Sequence, residues 1–277
     1  MTQTGTPLAD IPLPAAAPRL DPAPPAAPAA PSLLPPVFRT GVTVDDKSDQ
    51  SPVTVADRTA ERTIRAILAE RLPDHAVLGE EFGLERAGSR HCWVIDPIDG
   101  TRAFVTGRPT FGTLIALLED GVPVLGIIDQ PITGERWIGM RGRPTRYESR
   151  LPGTIGTRRC TALKLAELSC TSPEMIADAP TPYWDALRRA ARRVTWGGDC
   201  YAYGLLALGQ VDVIAECTMK IWDWAALVPI IEGAGGRVTD WHGRTLHAQS
   251  DGTVLAVGDP AMLADAVSLL NTGLPAR

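Results

Sequence analysis

The chain has 277 residues, 44% of them hydrophobic, and a formal net charge of −5, enough to bury one large core or two modest ones. The acidic balance gives no general attraction to nucleic acid or to an anionic membrane, and the apolar runs are too short and too often broken to span a bilayer. No charged n-region leads into an apolar h-region at the start, so a cytoplasmic protein without membrane or nucleic-acid partners is expected.

Residues 1–36 carry eleven prolines and many alanines. Proline removes backbone donors and restrains the residue before it, which predicts a disordered or polyproline-like arm. A dispensable tail and a Pro-rich recognition segment are both open readings of it. Folded sequence is expected from Val37. Thr54-Val55-Ala56-Asp57 has capping-box spacing and leads into a helix over Arg58–Arg71 with an apolar stripe of Ala60, Ile64, Ile67 and Leu68. Val77-Leu78 runs into Gly79-Glu80-Glu81, and Cys92–Ile95 reads as a short buried strand. Phe111–Leu118, Val122–Asp129 and Glu135–Gly139 read as three further strands, the first two joined antiparallel through Glu119-Asp120-Gly121.

The polar, Gly/Pro-rich stretch Arg141–Gly156 places a domain boundary, giving domains 37–145 and 146–277. Beyond it, helices are expected over Pro182–Arg192, Cys200–Leu208 (capped by Asp199), Ile221–Gly233 and Pro260–Leu270. Strands are expected over Val211–Ala215, Arg237–Thr239 and Thr253–Val257. Alternating strands and helices make a layered α/β second half. The five cysteines form no CxxC pair, which fits reduced core residues better than a disulfide framework.

Chemistry concentrates in Trp93-Val94-Ile95-Asp96-Pro97-Ile98-Asp99-Gly100-Thr101. An apolar strand delivers two carboxylates to a constrained turn, where the Ile98 carbonyl can face them. Such hard oxygen ligands suit Mg²⁺ rather than a soft metal. An isolated DxxDG also fits a capped turn, but here Glu80-Glu81 lies upstream of it. Packed carboxylates raise one another's pKa unless a cation compensates them, so several converging acids fit two or more Mg²⁺ ions. A pair of such ions could activate water and stabilise a leaving oxygen, with Glu80 and Thr101 holding the water in line. The amides of Gly100 and Thr101 can receive phosphate. Asp223, between Trp222 and Trp224 at a helix start, reads as a cap or as a further ligand. Asp57 is equally ambiguous.

Together, Glu80-Glu81, Trp93–Thr101 and Trp222-Asp223-Trp224-Ala225-Ala226 resemble the inositol monophosphatase superfamily, matching its WxxDPxDGT and WDxAA signatures in order. The resemblance implies a five-layer αβαβα phosphatase fold, a homodimer, Mg²⁺ (two or three ions per site) and a phosphorylated small-molecule substrate. It implies a first metal on Glu80, Asp96 and the Ile98 carbonyl, and a second on Asp96, Asp99 and Asp223. It further implies that Thr101 orients water, that Asp57 is a structural or activating acid beneath the site, and that Lys47 belongs to a mobile loop. The Pro-rich arm stands where superfamily members carry a helix, with Val37-Phe38-Arg39 keeping its last contacts.

The closer resemblance is to the histidinol-phosphatase branch, through Gly79–Gly83, Asp99-Gly100-Thr101-Arg102-Ala103-Phe104 and Trp196–Gly204. In that reading Asp199 and Glu216 pair with the ammonium of L-histidinol phosphate, a histidine-biosynthesis intermediate. Arg102 either receives phosphate or bridges the acids and a neighbouring subunit. Trp196 is read as core in preference to pocket edge, and Tyr201 and Tyr203 as core or wall. The alternative substrate is inositol-1-phosphate or a broader range of sugar and nucleotide phosphates. A non-catalytic metal-binding scaffold is the reading of a different class.

Overall fold

The computed structural model describes residues 34–41, 44–46 and 52–274. Lys47 and most of the Pro-rich arm therefore lie outside the described residues. The chain order begins with an antiparallel pair, β1 (Val44–Asp46) and β2 (Pro52–Thr54), and then α1 (Val55–Arg71). Thr54 caps α1 as its spacing requires: its side chain accepts from the Ala56 N–H, and Asp57 accepts from the Thr54 N–H at 2.8 Å. Such a cap is worth about 1 kcal/mol.

A seven-stranded sheet follows, ordered β4-β3-β5-β6-β7-β8-β9. Its strands are β3 (Ala76–Gly79), β4 (Gly83–Glu85), β5 (His91–Asp99), β6 (Gly112–Glu119), β7 (Val122–Gln130), β8 (Glu135–Met140) and β9 (Arg143–Glu148), with the short α2 (Thr101–Val105) after β5. Only β3 and β5 pair in parallel; the remaining neighbours are antiparallel. The second sheet, β11-β10-β12-β14-β13, comprises β10 (Glu167–Cys170), β11 (Arg193–Trp196), β12 (Val213–Glu216), β13 (Arg237–Thr239) and β14 (Val254–Val257). Between and after them come α3 (Pro173–Ala177), α4 (Trp184–Ala190), α5 (Asp199–Ala207), α6 (Ile221–Trp224), α7 (Leu227–Gly233) and α8 (Leu263–Thr272).

Side-chain alternation along the strands builds the layers. Trp93 and Ile95 face α1 with Ile64 and Leu68. Val94, Leu114 and Trp137 face the opposite way, onto Tyr203, Leu206, Ile230 and Ile231 of α5 and α7. Ile214, Val254 and Ala256 of the second sheet close on those helices from the far side. Val213, Ala215 and Leu255 turn outward, under Trp184, Leu187 and Leu269 of α4 and α8. The result is the expected αβαβα sandwich. The middle helices lie so close to the first sheet that a Cβ on Gly126 would stand 1.9 Å from the Ala226 carbonyl oxygen. Among the described residues no helix is long and apolar enough to cross a membrane.

Several elements differ from expectation. The stretch read as a boundary contains β9, whose sequence Arg-Pro-Thr-Arg-Tyr-Glu carries little apolar signal and is held by pairing with β8. The helix expected over Ile221–Gly233 is two helices, α6 and α7, divided at Ala225-Ala226, with Pro229, which has no N–H, early in the second. Asp199 is the first residue of α5 instead of its cap, and its side chain makes no capping bond. Strands β4, β10 and β11 and helices α2 and α3 were not anticipated. At the described N-terminus Leu34 is fully buried, and Phe38 packs on Phe104 and Phe111 at centroid distances of 5.8 and 5.2 Å. Val37-Phe38-Arg39 thus keeps core contacts, Arg39 also donating to the Gly107 carbonyl.

Candidate metal centre

The alternation that sends Val94 inward also sends Asp96 inward, toward the helices between the sheets. From Asp96 to Asp99 β5 advances three residues while its partner β6 advances two, from Leu114 to Gly112. This bulge turns the second carboxylate to the same side as the first. The bulge is pinned by the Thr113 hydroxyl donating to the Pro97 carbonyl (2.8 Å) and by the Ile98 N–H donating to Asp96 Oδ1 (3.0 Å). Gly100 leaves the strand at φ 83°, a left-handed conformation that glycine adopts without a Cβ penalty. The Thr101 hydroxyl donates to the Ile98 carbonyl at 3.0 Å.

The third acid arrives from the second half. Asp223 sits in the first turn of α6, its Oδ2 accepting from the Lys220 N–H at 2.6 Å. Its neighbour Trp224 is buried in the central core and anchors the turn. Ligand atoms of Asp96, Asp99 and Asp223 lie within 4.8 Å of one another. Glu80 joins them: the Glu80 N–H donates to the Ile95 carbonyl at 3.1 Å, and its side chain approaches Asp96 closely enough to hydrogen-bond it.

These carboxylates line one solvent-open cleft of about 170 Å³, together with Ile98, Gly100, Asp199, Cys200, Tyr203 and Glu216. No lysine or arginine is among the described residues that line it. Burial drives the pKa values of Asp96 and Asp99 well up, and neighbouring carboxylates push in the same direction. Burial likewise pushes Asp223 up to about 7. Asp57, buried nearby, is raised by the same cause, with Glu80 adding to it, and its Oδ1 has no hydrogen-bond partner. Convergent, desolvated, mutually repelling oxygens are the donor set of a hard divalent cation. The residues fit Mg²⁺.

Two further acids line the same cleft and act on the cluster, Asp199 on Asp99 and Glu216 on Asp223. Glu216 faces inward with Ile214, and each of its oxygens accepts one hydrogen bond, Oε1 from the Thr171 N–H (2.6 Å) and Oε2 from the Tyr203 hydroxyl (2.9 Å), with acceptor capacity left on both. Asp199 has φ 45° and accepts from the Thr110 hydroxyl at 3.2 Å. Of the remaining candidates, Thr101, Asp57 and Arg102 do not line the cleft. Arg102 donates instead to Glu174 of α3 at 2.9 Å, across an exposed ion pair. Tyr203 is a wall residue, whereas Tyr201 turns away to Glu135. Trp196 is not core: it is 38% exposed on β11, an edge strand, and packs on Trp184. Sequence reasoning missed Thr171, Met175 and Met219 in the lining. They lie in short, locally unpatterned segments, and no signal in the sequence marks them.

Comparison with known proteins agrees with this geometry. The profile of the inositol monophosphatase family matches residues 20–271. A bifunctional chloroplastic phosphatase of Arabidopsis thaliana is 46% identical over 79% of this chain, which spans 63% of that longer relative. A histidinol-phosphatase of Mycobacterium tuberculosis is 39% identical over 72% of this chain and 78% of its own length. The solved structure of an inositol monophosphatase from Zymomonas mobilis superposes with a TM-score of 0.79 at 47% identity, covering 88% of this chain and 94% of that one. The chain belongs to the inositol monophosphatase family.

Proposed function

We propose that this chain is a Mg²⁺-dependent phosphoric-monoester hydrolase of small phosphorylated alcohols. The observation that carries the reading is the convergence of Asp96, Asp99 and Asp223 within 4.8 Å in a cleft whose lining, among the described residues, holds no lysine or arginine. Bound Mg²⁺ would supply the positive charge that a phosphate dianion and its attacking oxygen need. Glu80, Asp96 and the Ile98 carbonyl would hold one ion, and Asp96, Asp99 and Asp223 another. The amide of Gly100, which lines the cleft, and that of the adjoining Thr101 at the start of α2 would receive phosphate oxygens, and the Thr101 hydroxyl, once released from the Ile98 carbonyl, would with Glu80 orient the attacking water. Asp57 would act beneath them, through Thr54 and the start of α1.

Two alcohols compete for the leaving-group side. The acidic wall favours L-histidinol phosphate, because Asp199 and Glu216 offer carboxylate oxygens to an ammonium in a place where a neutral polyol brings no charge. The M. tuberculosis relative supports that reading by its name. Inositol-1-phosphate, or a broader set of sugar phosphates, draws the more direct support from the comparisons, since the Zymomonas mobilis structure is both the more identical and the more fully covered. The name of the Arabidopsis relative, a bifunctional phosphatase, supports a site that serves more than one substrate. Phosphate release from a substrate panel with Mg²⁺ tests the class: no turnover of any small phosphomonoester rejects it. The ratio of kcat/KM between histidinol phosphate and inositol-1-phosphate then ranks the two alcohols.

A further inference from the structure

Glu61 has no part in the cleft, yet it is a fully buried carboxylate on α1. Its Oε2 accepts from the Glu81 N–H at 2.8 Å and its Oε1 from the Phe82 N–H at 3.3 Å. Arg65, one turn on, donates to Glu61 Oε1 at 2.7 Å and reaches over the same segment to the Gly83 carbonyl at 2.5 Å. Its guanidinium also stands 6.0 Å from the Phe82 ring centroid. A Cβ on Gly79 would fall 2.0 Å from Glu61 Oε1, so the carboxylate occupies the space a side chain would take there. Every residue from 79 to 83 except Glu80 is thus touched by this pair. Glu80 is the one whose side chain turns into the cleft.

We infer that Glu61 and Arg65 are positioning residues that set the Glu80 carboxylate against Asp96. The turn after β3 has two fixed points. On the sheet side, the Glu80 N–H is held by the Ile95 carbonyl, one residue before Asp96. On the helix side, the Glu61 carboxylate gathers the next two N–H groups. A carboxylate can accept both amides and the arginine Nε–H at once because it carries no donor of its own. The equivalent amide cannot, since its NH₂ would face either an N–H or the guanidinium. Supporting hydrogen bonds around metal ligands commonly change affinity about 10–100-fold when removed.

This inference rests on Glu80 being a metal ligand, and the experiment separates the two. Mn²⁺ binding is measured by calorimetry and by electron paramagnetic resonance on the wild type, Glu80→Gln, Glu61→Gln and the double variant, with thermal melting alongside. Glu61→Gln is expected to weaken Mn²⁺ binding about tenfold or more at temperatures where it remains folded, to raise the Mg²⁺ concentration for half-maximal activity, and to leave substrate KM at saturating Mg²⁺ nearly unchanged. In the Glu80→Gln background the same change is expected to add nothing. Glu61→Asp, which keeps an acceptor-only group, is expected to recover part of the loss. If Glu80→Gln weakens binding and Glu61→Gln lowers only the melting temperature, the positioning role is overturned. If Glu80→Gln binds Mn²⁺ like the wild type, the ligand reading itself falls. Should Glu61→Gln fail to fold, Arg65→Lys, which loses the fork to Gly83, is read in the same way, and unchanged Mn²⁺ affinity overturns the role.

Discussion

The backbone N–H of Cys200 donates to Asp99 Oδ2 at 2.6 Å, across 101 positions of sequence. One carboxylate therefore ends the bulge of β5 and receives the first turn of α5, so the two halves of the molecule meet at a proposed metal ligand. Asp99→Asn and Asp99→Ala should separate these roles. The amide can still accept from Cys200 but brings no charge, so Asp99→Asn is expected to lose about a hundredfold or more in kcat/KM while melting near the wild-type temperature. Asp99→Ala should lose activity and also about 1–2 kcal/mol of stability. Phosphate release and urea unfolding check both.

Metal should also be a stabiliser. Because burial and mutual repulsion oppose ionisation of Asp96, Asp99 and Asp223 together, Mg²⁺ at one hundred times its Kd is expected to add about 2.7 kcal/mol. Chelation should remove that gain. Asp96→Asn should melt above the chelated wild type, respond little to Mg²⁺ and show no turnover. Differential scanning fluorimetry over a Mg²⁺ series measures it, and an Asp96→Asn protein with unchanged turnover would remove Asp96 from the mechanism.

Asp129, which is not one of the clustered carboxylates, gives a pH dependence of its own. It pairs with Arg136 at 2.6 Å across the β7–β8 hairpin, yet burial outweighs the arginine and lifts its pKa to about 6. A carboxyl with a folded value above its unfolded one favours the fold while protonated. That contribution is complete below the unfolded value of about 4 and is lost as pH rises through about 6. Measured by urea unfolding, the wild type is expected to lose about 2–3 kcal/mol relative to Asp129→Asn between roughly pH 4 and pH 7. A constant difference across that range would contradict the assignment.

The contact of helix and sheet at Gly126 admits no side chain. With a Cβ 1.9 Å from the Ala226 oxygen, Gly126→Ala must push the Ala225-Ala226 corner off the sheet. Overpacking of this kind costs about 1–3 kcal/mol or more, and because Asp223 lies just ahead of that corner, Mg²⁺ affinity is expected to fall as well. Equilibrium unfolding and metal titration test the pair of effects.

On the leaving-group side, Asp199→Asn is expected to lower kcat/KM for histidinol phosphate about tenfold or more and to change that for inositol-1-phosphate much less. Equal losses on both substrates would remove the charge-pairing argument for the ammonium.

Features governed by near neighbours were legible in the sequence. Thr54 and Asp57 are three positions apart and form their capping box in any context that starts a helix. Asp96-Pro97-Ile98-Asp99-Gly100 carries its own turn chemistry, and β6 and β7 pair through a short connection. Strands β4, β9, β10 and β11 were not legible, because short strands of mixed composition are held by ladder partners rather than by their own alternation. Four of the five cysteines are buried and all are unpaired among the described residues, as their apolar surroundings suggested.

The residue order alone determined the acidic motifs, their family signature and the layered α/β class, since each follows from local spacing and periodicity. Only the tertiary structure decided that Asp223 meets Asp96 and Asp99, that Arg102 turns to Glu174, and that Glu61 grips the turn bearing Glu80. These contacts join positions brought close by sheet register and by helices packed between two sheets. That distance is closed by burial of the common core, which no local pattern encodes.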